Sequence, residues 1–96
     1  MKTGIEIIAE ERQRQIDVEG WTPEHDELAN NAEQLAQAAA LYAIPEVYRV
    51  YEYDVRNLWP WDRHWYKPSP DNRLRELAKA GALIAAEIDR LQRLNE

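Results

Sequence analysis

Residues 57–73 read NLWPWDRHWYKPSPDNR and place Trp59, Trp61 and Trp65, three of the chain's four tryptophans, within seven positions. Indole planes stack on nucleobases, and cations held beside them take a phosphate. From Arg63 to Lys79 the cations are Arg63, Lys67, Arg73, Arg75 and Lys79, against Asp71 and Glu76 as the only acids. A helix opening nearby adds the positive end of its dipole. These are the parts of a nucleotide or dinucleotide pocket. Trp61 and Trp65 form the expected stacking pair, with Arg63 and His64 between them, and Lys67 and Arg73 are the expected phosphate contacts. Trp59, beside Leu58, reads as a core anchor. The plainer alternative makes all three tryptophans a lid over a helical core, and the cations a solvated face paired with Glu76 and the acidic helices.

Other chemistries find fewer parts. The chain has no cysteine, and its one serine, Ser69, stands where a helix cap belongs. With only His25 and His64, a His-rich metal site is not expected, and His25-Asp26 reads as a first-turn residue beside a carboxylate. A nucleotide pyrophosphohydrolase similar to the MazG type would need two acidic clusters on facing helices to hold Mg²⁺. Glu24 and Glu27 have the spacing of one half, and Glu10-Glu11 is an acidic pair. The later pairs Glu52/Asp54 and Glu87/Asp89 have one residue between them, which on a helix turns them about 160 to 200° apart. Helix-dipole compensation is the preferred account of the acidic first turn.

The 96 residues suit a single domain, and a chain this short buries only about 60 to 65% of its unfolded surface, so oligomerisation would help it. Twelve Lys and Arg against eighteen Asp and Glu give a net charge of −6, which repels duplex nucleic acid. No apolar run suits a signal peptide or membrane span, and with no disulfide framework the chain is expected in the cytoplasm.

Three helices are expected to position the aromatic segment. Thr3 and Glu6 form a capping-box pattern and Gly20 a left-handed stop, giving a helix over 4–19 with Ile5, Ile8, Arg12 and Ile16 on one stripe and a Glu10–Arg14 pair on its flank. Thr22 and Pro23 open a second helix, in which Leu28, Ala32, Leu35, Ala39 and Tyr42 keep helical spacing to about Ala43, before Pro45. Residues 46–58 fit a strand or a short helix. The third helix starts with Ser69 as cap and Pro70 as first residue, and carries Leu74, Leu77, Gly81, Ile84, Ile88, Leu91 and Asn95 in heptad spacing, with Leu83 and Leu94 off that seam. The expected fold is an all-α three-helix bundle with a long Trp/Pro-rich connection, in a homo-oligomer.

The stretches AEERQRQIDVEGWTPEHD, LAQAAALYA and WPWDRHWYKP…LAKAGALIAAEIDRL resemble a group of small phage and prophage proteins. That resemblance implies a phage origin and an accessory, host-facing role in the host cytoplasm, and supplies no catalytic residues. Glu11, Gly20, Trp21, Trp61, Lys67, Asp71 and Arg73 are also similar to positions in ryanodine-receptor-type repeat domains, which bind nucleotide-derived ligands. The likeness brings Trp21 into the candidate ligand set, although Thr22-Pro23 departs from the aromatic-glycine pair of those domains. The expected function is sequestration, without catalysis or cofactor, of a nucleotide-derived host immune signal. The alternatives are a protein-binding inhibitor of a host factor and the MazG-like enzyme.

Overall fold

The computed structural model describes residues 1–51 and 58–95, with side chains except those at 27, 28, 50 and 51. Within them the protein is mostly helical and has no strand. The helices are α1 (Gly4–Glu19), α2 (Pro23–Ala29), α3 (Gln34–Ala43), α4 (Glu46–Tyr51) and α5 (Arg73–Leu94), with a 3₁₀ turn at Arg63–Trp65. No described helix is long and apolar enough to cross a membrane.

The boundaries follow from caps. Thr3 Oγ1 accepts from the Glu6 amide while the Glu6 carboxylate accepts from the Thr3 amide, so α1 has both halves of its capping box. Gly20, at φ 74°, ends α1 in a left-handed turn that a side chain would strain. Thr22 caps α2 through the His25 amide, with Pro23 in the first turn.

Two expected boundaries are corrected. The single helix over 23–43 is two helices, because α2 stops at Asn30 and the chain re-enters α3 through Glu33, a non-glycine residue at φ 63°. The Asn30 amide side chain is recruited elsewhere: it donates to Asp26 and accepts from Trp61 Nε1. The last helix begins at Arg73, capped by Asn72, and not at Pro70. Residues 69–72 form a turn closed by the Asn72 amide on the Ser69 carbonyl, with Pro70 at its second position, where its fixed φ fits. In the segment left open between strand and helix, α4 is helical, whereas residues 52–57 lie outside the described residues.

α5 is the shared neighbour, lying against α1, α2 and α3. The core joins Leu35, Ala38, Ala39, Leu41 and Tyr42 of α3 to Ala80, Leu83 and Ala86 of α5, and Trp59 packs into it with 8% exposure. Small residues let the two helix surfaces approach closely. Among the stripe expected on the second helix, Leu35, Ala39 and Tyr42 are buried, Ala32 is exposed, and Leu28 lies outside the described side chains. The α1 stripe is rotated from its expected position: Glu11 and Gln15 are buried, Ile8 and Ile16 are half-buried, and Ile5 is exposed. Arg14 pairs with Glu11 and Glu19 in place of Glu10, which takes Lys2.

On α5 the off-seam Leu83 is fully buried and Leu94 is exposed. The seam residues Leu74, Leu77, Ile84, Ile88 and Leu91 are 42 to 59% exposed. At Gly81 the seam lies tight against α1, because a Cβ there would stand 2.5 Å from Ile8 Cδ1 and 2.8 Å from Ile8 Cγ1. That close approach predicts a sign reversal. Alanine gains roughly 1 kcal/mol of helix propensity over glycine, whereas overpacking costs about 1–3 kcal/mol. G81A should therefore melt below the parent, and G81A added to I8A should melt above I8A alone. Calorimetry showing the same sign in both backgrounds would place the reason for Gly81 elsewhere.

Candidate functional site

Two cavities meet on one side of the molecule. The first, of about 250 Å³, lies between α1, α5 and the aromatic loop; its polar lining includes Arg14, Gln15, Lys67, Arg75 and Lys79, over a floor of Tyr42 and Leu83. The second, of about 360 Å³, lies among Trp21, Trp61 and Trp65 with His25, Asn30 and Asp62 at its polar edges. Glu19, Trp21 and Trp65 line both, so the two form adjoining lobes, one cationic and one aromatic.

Local structure fixes each wall. The Gly20 turn carries the chain off α1 so that the Trp21 amide donates to the Gln15 carbonyl at 3.1 Å, and the Trp21 carbonyl accepts from Arg12 Nη1 at 3.0 Å. Trp61 is held by its Nε1–H to Asn30 Oδ1 at 3.0 Å and lies 5.1 Å from Trp21 between ring centres. Trp59 meets the edge of Trp61 at 5.3 Å and packs on Tyr66 at 4.9 Å, and its Nε1–H donates to the Asp62 carbonyl. Asp62 caps the 3₁₀ turn through the His64 amide, which sets Trp65 at the turn's end, 48% exposed. Edge-on and tilted rings are the favoured aromatic geometries, so these rings form a rigid wall.

The cationic lobe is tied together beneath its surface. Lys79 Nζ donates to the Lys67 carbonyl at 2.7 Å and to Ser69 Oγ, and stands 5.4 Å from the centre of the Tyr42 ring. Burial, and next the neighbouring Arg75 cation, lower the Lys79 pKa. Burial pushes the Tyr42 phenol up to about 12, so it stays neutral while its oxygen accepts from the Lys67 amide. The Lys67 ammonium stands 5.7 Å over the Trp65 ring. Arg14 makes a two-pronged bond to Glu11 at 2.7 and 2.9 Å and reaches Glu19 at 3.3 Å, while Arg75 lies 3.6 Å from Glu11. Gln15 is 2% exposed, and its Oε1 has no hydrogen-bond partner among the described residues.

Of the seven residues expected from sequence, Trp21, Trp61, Trp65 and Lys67 come together in the cleft. Arg63 lines neither lobe and is exposed. His64 is exposed beside Trp65, with Nδ1 2.6 Å from Asp62 Oδ1. Arg73 turns away from the cleft to cap α3, donating to the carbonyls of Tyr42 at 2.8 Å and Ala43. Arg75 and Lys79 were visible as part of the basic cluster; Arg14, Gln15 and Glu19 come from α1, where nothing in the helical spacing singles them out.

For a metal-dependent reaction, the acids are differently engaged. Glu10 is paired with Lys2 and Glu11 with Arg14, and Asp26 lies 3.5 Å from Arg12 and 3.6 Å from His25. Among the described residues, no group of three or more His, Asp or Glu is placed to hold a metal ion; Glu52 and Asp54 lie outside them. Comparisons of the chain with protein-family models, curated proteins and solved structures found no match.

Glu76 and Asp26 flank this site with opposite pH signatures. Burial disfavours the Glu76 carboxylate, but hydrogen bonds from Arg49, the Ser69 amide and Arg73 outweigh it, and the pKa falls below 4.5. Its contribution to stability is present above that value and is lost as pH falls through the lowered one. Burial raises Asp26 above 3.8 against the opposing pull of Asn30, Arg12 and His25. Its contribution is full below 3.8 and is lost as pH rises through the raised value. Melting curves across pH should therefore show that E76Q loses about 3–5 kcal/mol at neutral pH, by leaving a buried guanidinium unpaired, and flattens the acid limb. D26N should flatten the fall in stability on the rising-pH side of 3.8. If both substitutions altered the same limb, one of these assignments would be wrong.

Proposed function

We propose that the cleft binds a nucleotide-derived ligand, with its base against Trp65 and Trp21 in the aromatic lobe and its phosphate among Lys67, Arg75 and Lys79 in the cationic lobe. The observation that carries this is the adjacency of the lobes: an indole wall and a cluster of cations share Glu19, Trp21 and Trp65 in a chain whose net charge is −6. Rings supply stacking that tolerates different bases, and ammonium and guanidinium groups supply charge-assisted contacts to phosphate. The resemblance to phage proteins extends the reading: a non-catalytic protein of this kind would sequester a host immune signalling nucleotide in the host cytoplasm.

A panel of cyclic dinucleotides, ADP-ribose compounds and mononucleotides, followed by tryptophan fluorescence and thermal shift, tests this. W65A should keep the parent melting temperature and lose binding, because Trp65 is half exposed. W59A should lose about 3–5 kcal/mol of stability as a large core truncation. K67A should bind more weakly, and the difference should shrink at high salt. Absence of any response across the panel would sink the nucleotide reading and turn attention to a protein partner, for which exposed Trp65, Val47 and Tyr48 offer apolar contacts.

The same chain is proposed to self-associate along α5. Leu77, Ile84, Ile88 and Leu91 follow heptad spacing and are 42 to 52% exposed, which leaves an apolar stripe uncovered in one copy. Light scattering at micromolar concentration should give at least a dimer. Since these side chains lie outside the core cluster, I84D and I88D should yield a folded monomer; a parent protein already of monomer mass would remove this proposal.

A further inference from the structure

The Gln15 carbonyl poses a chemical question that phosphate binding leaves unanswered. Its Oε1 is a buried acceptor without a partner among the described residues, on a side chain 2% exposed, and Gln15 lines the lobe together with Arg14, Glu19, Lys67, Arg75 and Lys79. Buried acceptors are nearly always satisfied, and an orphan one carries a free-energy penalty. A phosphate oxygen cannot relieve it, because a phosphate dianion only accepts. Water or a ligand hydroxyl can. The cations at the same wall are donors that call for an anion. The wall therefore asks for one molecule carrying an anionic group and, beside it, an O–H donor.

From this we infer that Gln15 is a specificity residue for the sugar of the bound nucleotide, accepting a hydrogen bond from a ribose 2′- or 3′-hydroxyl while the neighbouring cations hold the phosphate. This rests on the nucleotide reading of the cleft. Ribose suits the position in the chain of groups: in a nucleotide the sugar stands between base and phosphate, and Gln15 belongs to the lobe that adjoins the aromatic one through Trp21. The Trp21 amide donates to the Gln15 backbone carbonyl at 3.1 Å, so the backbone that carries this side chain is tied to the residue that borders both lobes.

The test uses ADP and GDP, each beside its 2′-deoxy and 3′-deoxy form, against the full chain and Q15M, which keeps length and removes the polar group. The parent should bind the ribonucleotide about tenfold more tightly than one of the deoxy forms, the worth of one hydrogen bond. Q15M should bind all three forms alike, near the affinity of the parent for that deoxy form, and should melt no lower than the parent, since the change removes an unsatisfied acceptor. Equal binding of all three forms by the parent would overturn the role of Gln15 and leave the nucleotide reading standing. Discrimination that survives in Q15M would also overturn it, placing the hydroxyl elsewhere. Failure of every nucleotide to bind the parent would remove both readings together.

Discussion

A carboxylate kept charged with 1% of its surface exposed is the constraint on which much of this fold depends. Glu76 sits in the first turn of α5, where the helix dipole favours an anion, and receives Arg49 of α4 at 2.7 Å, Arg73 at 3.2 Å and the Ser69 amide at 3.0 Å. Removing such a charge from water costs several kcal/mol unless its lone pairs are filled, so the three donors are a requirement. Their positions organise the chain: α4 is drawn to α5, and the loop before α5 is pinned at Ser69. Arg73 is aligned so that its other donors close the carboxyl end of α3 at Tyr42 and Ala43. Lys79 extends the same arrangement, because the Ser69 hydroxyl and Lys67 carbonyl that accept from it lie on the pinned loop. The cationic wall is thus a consequence of how the loop is held.

The tryptophans divide the work that their clustering suggests they share. Trp59 and Trp61 are committed by ring contacts and by indole N–H bonds to the Asp62 carbonyl and Asn30. Trp65 sits outside that stack, beside His64 and under Lys67. A loop of irregular backbone needs rigid side-chain partners to keep one shape, and the first two indoles supply them. The third can then face solvent in a fixed place. Successive tryptophans of the segment thus lie in different surroundings, two packed and one half exposed.

Features governed by nearby residues were legible in sequence. Thr3 with Glu6, Gly20, and Thr22 with Pro23 mark helix ends that depend only on their own neighbours, and each stands where it was expected. Trp59 as core anchor follows from its apolar neighbour. What local pattern could not give depends on contacts distant along the chain. Asn30 breaks the expected second helix because Trp61, 31 positions later, takes its side-chain oxygen. Arg73, counted with the phosphate-binding cations, is claimed by carbonyls about 30 positions earlier. Ser69-Pro70 carries a helix-start signature equally compatible with the turn it forms, and the Ser69 amide on Glu76 and the Asn72 cap go with the turn. Gln15 and Glu19 reach the site because α1 is rotated so that polar residues face inward, against the apolar stripe that spacing alone would select.

The cationic lobe also has an internal order of readiness. Arg14 is already bonded twice to Glu11 and once to Glu19, so its charge is largely answered from within α1. Lys79 spends donors on a carbonyl and a hydroxyl and is disfavoured as a cation by burial. Arg75 lies at a looser 3.6 Å from Glu11, and Lys67 leans over an exposed ring. An incoming anion therefore gains most from Lys67 and Arg75, whose charges are least compensated, while Arg14 and Lys79 shape the wall they act from. Glu19 sets the limit on the other side. Glu19 lines both lobes with its carboxylate 3.3 Å from Arg14, so at the junction the Arg14 charge is partly offset and a phosphate is favoured less there than beside Lys67 and Arg75. On the proposed reading, a ligand with its anion at one end and its ring at the other fits this charge pattern.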